Sequence, residues 1–194
     1  MRRFVLIGQK ASASPGFSLD DVPGTSGRLD VLLRCVRASL LVSHGLRRDT
    51  MVYLVLLGGD VGPRVVRIDG RAAEYVRPDE RSLAGRVKAM LETRSEGGFL
   101  AERQGMAVAD GGLEVVLEDL GAGERYVLDE IGDDVRTTAL DARDGVFFVG
   151  DHLGFDDATR RALADARLIR VGPVSVHADD AVTLVLNELD RRVV

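Results

Sequence analysis

The hydrophobic pattern changes period several times along the chain, and each change marks an element. Residues 4–7, Phe-Val-Leu-Ile, form a short unbroken apolar run ending at Gly8, as a buried first strand would. Residues 9–26 then hold Ser, Pro, Gly and Asp, with Pro15-Gly16 and Pro23-Gly24 as turn signals, so a long loop is expected. Leu29, Leu32, Leu33, Val36 and Leu40 recur at helical spacing and predict a helix over 27–44, capped by Thr25 or Ser26. Residues 51–57 are apolar throughout, the mark of a strand covered on both faces. Gly58-Gly59-Asp60 turns the chain toward a short strand over 65–68, and a second helix is expected over 80–93, opening after Pro78.

Residues 97–112 read as a Gly-rich loop with one short strand at 106–109, and 113–117 and 125–128 read as further strands. A buried strand follows over 147–149, then a helix over 156–166 and a strand over 168–171. Val182, Val185, Leu186, Leu189 and Val193 supply the apolar stripe of a last helix over 180–192. Strands alternating with helices indicate an α/β fold with a mainly parallel sheet flanked by helices. No repeat or linker divides the pattern, so residues 1–194 are expected to form one domain, with a β-rich insertion at 58–76 or 97–128.

Composition narrows the class. At 45% hydrophobic and 29% charged residues the chain is of the soluble globular kind. Aromatic residues make up 5% and Trp is missing, so packing must rest on Val, Leu and Ala. A net charge of −5 argues against indiscriminate nucleic-acid binding but leaves room for a local Arg cluster. Cys35 is the single cysteine, which rules out an internal disulfide or a cysteine zinc cluster and suits a reducing cytoplasm. The apolar run after Met1-Arg2-Arg3 reaches only Ile7, too short for a signal sequence, and no window approaches the ~18 apolar residues a membrane helix needs.

The chain lacks a phosphate-binding G-x-x-x-x-G-K-[ST], an H-E-x-x-H and a G-x-S-x-G. His44, His152 and His177 are scattered at spacings that match no metal template, and no metal is expected. Asp30, Arg34 and Arg37 stand at i, i+4 and i+7 on one face of the first helix, with Arg28 in its first turn and Arg47-Arg48 beyond its end. That face is either a solvated row of ion pairs or an Arg surface for RNA phosphates.

Three predicted strand ends terminate in small or polar turns: Leu128-Asp129-Glu130, Gly150-Asp151-His152, and Val171-Gly172-Pro173-Val174-Ser175. Parallel α/β sheets bind ligands outside the carboxyl ends of their strands. The Gly172-Pro173 turn exposes backbone N–H and C=O groups that suit an adenine edge and ribose, and Asp179 or Asp180 is placed to cap the helix behind it.

At these residues the chain resembles a known family. Phe148-Val-Gly-Asp-His-Leu-Gly-Phe155, Arg170-Val-Gly-Pro173, His177-Ala178-Asp179 and Asn187-Glu-Leu-Asp190 are similar to the C-terminal signature of archaeal tRNA pseudouridine N1-methyltransferases. Phe17-Ser-Leu-Asp-Asp-Val-Pro-Gly-Thr-Ser-Gly-Arg-Leu-Asp30, Arg34-Cys35-Val36, Ser43-His44-Gly45-Leu46-Arg47-Arg48-Asp49 and Arg77-Pro78-Asp79-Glu80-Arg81-Ser82 are similar to its N-terminal half.

The resemblance implies a SPOUT fold with a C-terminal trefoil knot, and a homodimer that binds S-adenosyl-L-methionine in the knot. It also implies methylation of N1 of pseudouridine 54 in the tRNA T-loop. Carried onto this chain, it places Leu128, Gly150, Val171, Gly172, Pro173, Val174, Ser175, Val176 and Ala181 around the donor. Relatives often have Cys where Ala181 stands, a harmless change if the contact is through backbone. Asp30 is the candidate to take or hold the N1 proton, with Arg28 orienting the base or a phosphate. Arg28, Arg34, Arg37, Arg47 and Arg48 are the expected RNA-binding residues. Two other functions fit the same features: a related methyltransferase acting on pseudouridine in ribosomal RNA, and a non-catalytic RNA-binding or assembly factor.

Overall fold

The apolar run at residues 4–7 becomes the centre of the molecule. In the computed structural model, which describes residues 1–93, 95 and 98–193, strand β1 (Arg2–Ser12) lies between two parallel neighbours. One is β4 (Thr50–Gly58), and the other is β9 (Val146–Gly150). Side chains of a strand alternate between faces. Phe4 and Leu6 therefore join one core layer, and Val5 and Ile7 join the other. Both layers are fully covered, so the run needs no polar alternation.

Between β1 and β4 the chain forms α1 (Val22–Thr25), α2 (Leu29–Leu40) and a two-stranded ribbon, β2 (Leu41–Val42) with β3 (Gly45–Leu46). After β4 come β5 (Arg64–Asp69), α3 (Glu80–Leu91), β6 (Leu100–Arg103), β7 (Met106–Asp110) and α4 (Leu113–Leu120). The C-terminal part holds β8 (Arg125–Asp134), β9, α5 (Asp157–Ala162), β10 (Arg167–Arg170) and α6 (Ala178–Val193). The eight-stranded sheet runs β10-β8-β9-β1-β4-β5-β7-β6. Its first five strands are parallel and its last three antiparallel.

One core layer gathers Leu29, Leu32 and Val36 of α2, Leu83 and Val87 of α3, and Val182, Val185 and Leu189 of α6. The other gathers Val116 and Leu120 of α4 with Leu163 just after α5. Stacked rings join three strands within the sheet: Phe4–Phe147 at 5.3 Å and Phe147–Tyr126 at 5.1 Å. Each fully buried Leu or Val contributes about 1.5–3 kcal/mol. Aliphatic packing thus compensates for the scarcity of aromatic residues.

The predicted mainly parallel α/β sheet is present, with several local corrections. β1 continues past Gly8 to Ser12, because its last residues bond to the turn before α2, with Ser12 N donating to Ser26 O at 2.9 Å. The first helix ends at Leu40 rather than residue 44, where the chain enters the β2–β3 ribbon. Residues 113–117 are helical, not a strand. Leu113, Val116 and Leu120 are buried at helical spacing, and a short apolar run cannot separate the two periods. The expected β-rich insertion is a continuation of the main sheet through β5, β7 and β6. The expected 97–112 loop contains β6 as well as β7; its start, Gly97, lies outside the described residues. The last helix begins at Ala178, so Asp179 and Asp180 occupy its first turn instead of its cap. No helix among the described residues is long and apolar enough to cross a membrane.

Candidate active site

Helix α2 starts from an unusual turn. Gly27 and Arg28 both have left-handed backbones, with φ of 63° and 69°. A Cβ on Gly27 would lie 1.8 Å from Lys10 O, so only glycine lets the turn pass this close to β1. Ser26 Oγ donates to Val22 O at 2.5 Å and accepts from Leu29 N at 3.1 Å, while Thr25 Oγ1 turns back to Asp21 O. Of the two expected caps, Ser26 is the one that meets the helix, although Arg28 occupies the capping position. A left-handed non-glycine residue costs roughly 1–2 kcal/mol, and such outliers cluster at functional sites.

That backbone lets the Arg28 side chain fold forward onto Asp30. Arg28 Nε meets Oδ1 at 2.9 Å and Nη2 meets Oδ2 at 3.1 Å, while Arg34 Nη1 reaches Oδ2 at 3.1 Å. Asp30 is 2% exposed. Burial pushes its pKa up, but the hydrogen bonds and charges of Arg28 and Arg34 outweigh burial and hold it below the usual carboxylate value. The group is therefore ionised at neutral pH. An ionised carboxylate has about four acceptor positions. The two guanidinium groups use three of them, leaving one for a substrate N–H.

Arg34 also links this carboxylate to the C-terminal helix. Its Nε stands 4.0 Å from Asp179 Oδ1. The neighbouring Cys35 thiol is pushed up by burial and then by the Asp179 charge, which again places Asp179 against α2. Asp30, Arg34 and Asp179 thus connect the start of α2 to the start of α6, directly behind the last strand-end turn.

The strand ends meet at that same rim. Asp151, 8% exposed, accepts from Gln9 N and Leu153 N, both at 2.8 Å, and so ties the end of β9 to β1. A Cβ on Gly150 would lie 3.0 Å from the Gly154 backbone, which makes this turn tight. Ser175 Oγ donates to Glu130 at 2.6 Å, joining the 171–176 turn to β8. Among the described residues, the backbone groups of Gly172, Pro173, Val174, Ser175 and Val176 make no hydrogen bond to other backbone. Nothing lies within 4 Å of where a Gly172 Cβ would project. Val174 is 71% exposed, while Ala181 is buried one turn into α6 and Leu128 packs against the core from β8. This free backbone with small side chains fits an adenine and ribose contacted through N–H and C=O groups.

Not every expected residue joins the rim. Arg37 is exposed one turn beyond Arg34 and carries no ion pair among the described residues. Arg47 Nη2 pairs with Asp190 at 2.8 Å, and Arg48 Nη1 bonds the carbonyls of Gly70, Arg71 and Ala73. Arg47 thus has an acidic partner within the chain, while the exposed Arg48 has only carbonyl partners. His44, His152 and His177 are all exposed. The link from Arg34 to Asp179 was not foreseen; its one signal was the His177-Ala178-Asp179 motif. Two surface clefts, each about 400 Å³, lie elsewhere, one beside α3 and one at Glu124 and Arg167. The chemistry of the rim, not its enclosure, marks it as the site.

A parallel sheet with a small-residue turn at its strand ends, facing an arginine-held carboxylate, is an arrangement able to bind a ligand outside the carboxyl ends of its strands. The chain belongs to the family described as "Putative SAM-dependent RNA methyltransferase", whose model matches residues 1–194. It is 45% identical over 196 residues to the tRNA (pseudouridine(54)-N(1))-methyltransferase of Halobacterium salinarum, covering 98% of this chain and 96% of the relative. It is 39% identical over 193 residues to the enzyme of the same name from Methanosarcina acetivorans, covering 98% and 92%. Its fold is similar to that of Nep1 from Archaeoglobus fulgidus bound to S-adenosylhomocysteine, with TM-score 0.64, 16% identity and 97% of each chain covered. The likeness to Nep1 is one of fold.

Proposed function

We propose that the chain transfers a methyl group from S-adenosyl-L-methionine to N1 of pseudouridine 54 in the T-loop of tRNA. In this reading residues 1–194 act as one domain, as a homodimer in the cytoplasm, with the C-terminal elements threaded as a trefoil knot. The observation that carries the reading is Asp30, a buried, ionised carboxylate with one acceptor position left, joined through Arg34 to Asp179 at the donor rim. Names given to relatives that match this chain over nearly its whole length support the same target.

The reaction is an in-line displacement in which N1 of the base forms a bond to the methyl carbon as the bond from carbon to sulfur breaks. Bound S-adenosyl-L-methionine supplies the electrophilic methyl group on its sulfonium and leaves as the neutral thioether. Leu128, Gly150, Ala181 and the backbone from Val171 to Val176 would hold it. Asp30, with its lowered pKa, is a weak proton acceptor but a strong hydrogen-bond acceptor. It therefore holds the N1–H, which becomes strongly acidic as the N–C bond forms, and the proton passes along that hydrogen bond to the Asp30 carboxylate and from there to solvent. Arg28 and Arg34 fix the carboxylate, and positioning supplies much of the rate. Arg28 and Arg37, being exposed, are available to RNA phosphates.

The test is methyl transfer to T-arm stem-loops carrying either pseudouridine or uridine at position 54. Methylation of the pseudouridine stem-loop alone is expected. No transfer to either stem-loop, or equal transfer to both, would overturn the assignment.

A further inference from the structure

The motif Arg77-Pro78-Asp79-Glu80-Arg81-Ser82 has no part in the mechanism above, yet it lies along the cleft beside α3. This cleft, about 400 Å³, is lined by Tyr75, Arg77, Ser82, Arg86, Ala89 and Gln104. Tyr75 is 69% exposed, one of few aromatic rings left in solvent by a chain with three Tyr and no Trp. Among the described residues only Arg28, Tyr75 and Gln104 are non-glycine residues with left-handed backbones. The first stands at the candidate active site and the other two line this cleft.

The strained rim is held firmly. Arg48 binds the carbonyls of Gly70, Arg71 and Ala73 from one side. Arg86, on α3, donates to the carbonyls of Glu74 and Gln104 from the other. Glu74 N donates to Gln104 O at 3.3 Å, and Asp69 N to Gly105 O at 2.8 Å. Gly105 must be glycine, since a Cβ there would lie 2.4 Å from Ala73 N at φ +76°. Two arginines therefore brace a loop whose outermost side chain is an exposed tyrosine. Packing alone gives no reason to hold an aromatic ring outward on a strained backbone.

We infer that this cleft binds an unpaired nucleotide of the RNA substrate, with its base stacked on Tyr75 and its phosphate on Arg77. Arg77 is exposed and carries no ion pair among the described residues. Single-stranded nucleotides are recognised by aromatic stacking beside a cation, and the Gln104 amide is placed to meet a base edge. Helix α3 connects the cleft to the active site. Glu80, in the first turn of α3, lies within electrostatic reach of Arg28, and Arg86 follows about 9 Å along the helix at 1.5 Å per residue. The inference rests on the RNA methyltransferase reading and adds a second contact point for the same substrate.

The test compares Tyr75→Ala, Tyr75→Phe and Tyr75→Gly with the unaltered protein in binding and methylation of a tRNA transcript carrying pseudouridine 54. Tyr75→Ala is expected to weaken tRNA binding and raise KM about tenfold, with kcat and donor affinity unchanged, and Tyr75→Phe to restore both. Tyr75→Gly relieves the left-handed backbone, so it should melt no lower than the unaltered protein and still bind tRNA as weakly as the alanine variant. Unaltered tRNA affinity in the alanine and glycine variants would overturn the inference. So would a Tyr75→Phe variant as weak as alanine. If the unaltered protein neither binds nor methylates the transcript, the parent reading has failed instead.

Discussion

At the scale of single residues, two carboxylates show how one charge arrangement serves different ends. Asp30 is held by Arg28 and Arg34, both partly exposed, so its surroundings can open to a substrate. Asp30→Asn keeps the shape but loses the charge proposed to hold N1–H, and kcat is expected to fall about 100-fold or more, with some loss of melting temperature from the broken ion pairs. Because Asp30 titrates below the usual carboxylate value, it cannot produce an acid limb in the pH–rate profile near neutrality. A limb that persists in Asp30→Asn would locate the titration elsewhere. Asp190 is the structural counterpart. It binds Arg2, which is 2% exposed, at 2.6 Å, and also Arg47. Burial raises its pKa, but hydrogen bonds from Arg47 and Arg2 outweigh burial and lower it. A lowered carboxylate contributes stability that is present above its unfolded value and lost as pH falls through the folded value. Asp190→Ala leaves the buried Arg2 with only Asp49 at 3.7 Å and the Ala142 carbonyl, so urea denaturation at pH 7 should show a loss of about 2 kcal/mol. The loss should shrink in strongly acidic solution; a constant loss down to pH 2 would refute the charge argument.

At the scale of elements, the entry to α2 decides whether the site assembles. Gly27→Ala would force a Cβ against Lys10 O at a left-handed φ, so the turn must shift and carry Arg28 and Asp30 with it. The expected result is a loss of about 2 kcal/mol or more in stability, with a fall in kcat larger than the rise in KM. Much of this element structure was legible in the sequence. The helix stripe at Leu29, Leu32, Leu33 and Val36 and the central strand at 51–57 follow from period alone, because each buries one face or both. Residues 113–117 were not legible, since five apolar-rich residues satisfy either period until the preceding Gly111-Gly112 turn is seen to start a helix. The carboxylate was legible, as Asp30 and Arg34 share a face at i and i+4. Arg28 folding back was not, because a left-handed arginine is a backbone choice imposed by Lys10 and Ser26. Nor could spacing show that Arg47 pairs with Asp190 or that Arg48, though exposed, bonds the carbonyls of residues 70–73, since these partners are distant in sequence.

At the scale of the whole molecule, a net charge of −5 must be reconciled with an RNA substrate. The reconciliation is that most arginines already have acidic or carbonyl partners inside the fold, leaving among the described residues a scattered exposed set without ion pairs that includes Arg37, Arg77, Arg143, Arg161 and Arg191. Polyanion binding should then depend on few contacts. Each phosphate contact adds about 0.7–0.9 to the slope of log affinity against log salt. Arg37→Ala is expected to lower that slope for tRNA by about one contact, because Arg37 is exposed and unpaired among the described residues. Arg48→Ala removes three carbonyl contacts instead, so it should lower the melting temperature and leave the slope unchanged. Equal slope changes in both variants would show that Arg48 leaves its loop to meet RNA. The donor rim bears on the proposed homodimer in the same way. Ile131 is 81% and Val174 71% exposed, and the Ser175–Glu130 bond joins the two segments that carry them. If a second copy closes the rim, Ile131→Arg should halve the mass seen by light scattering and weaken donor binding together. Loss of either one without the other would mean that the rim is completed within a single chain.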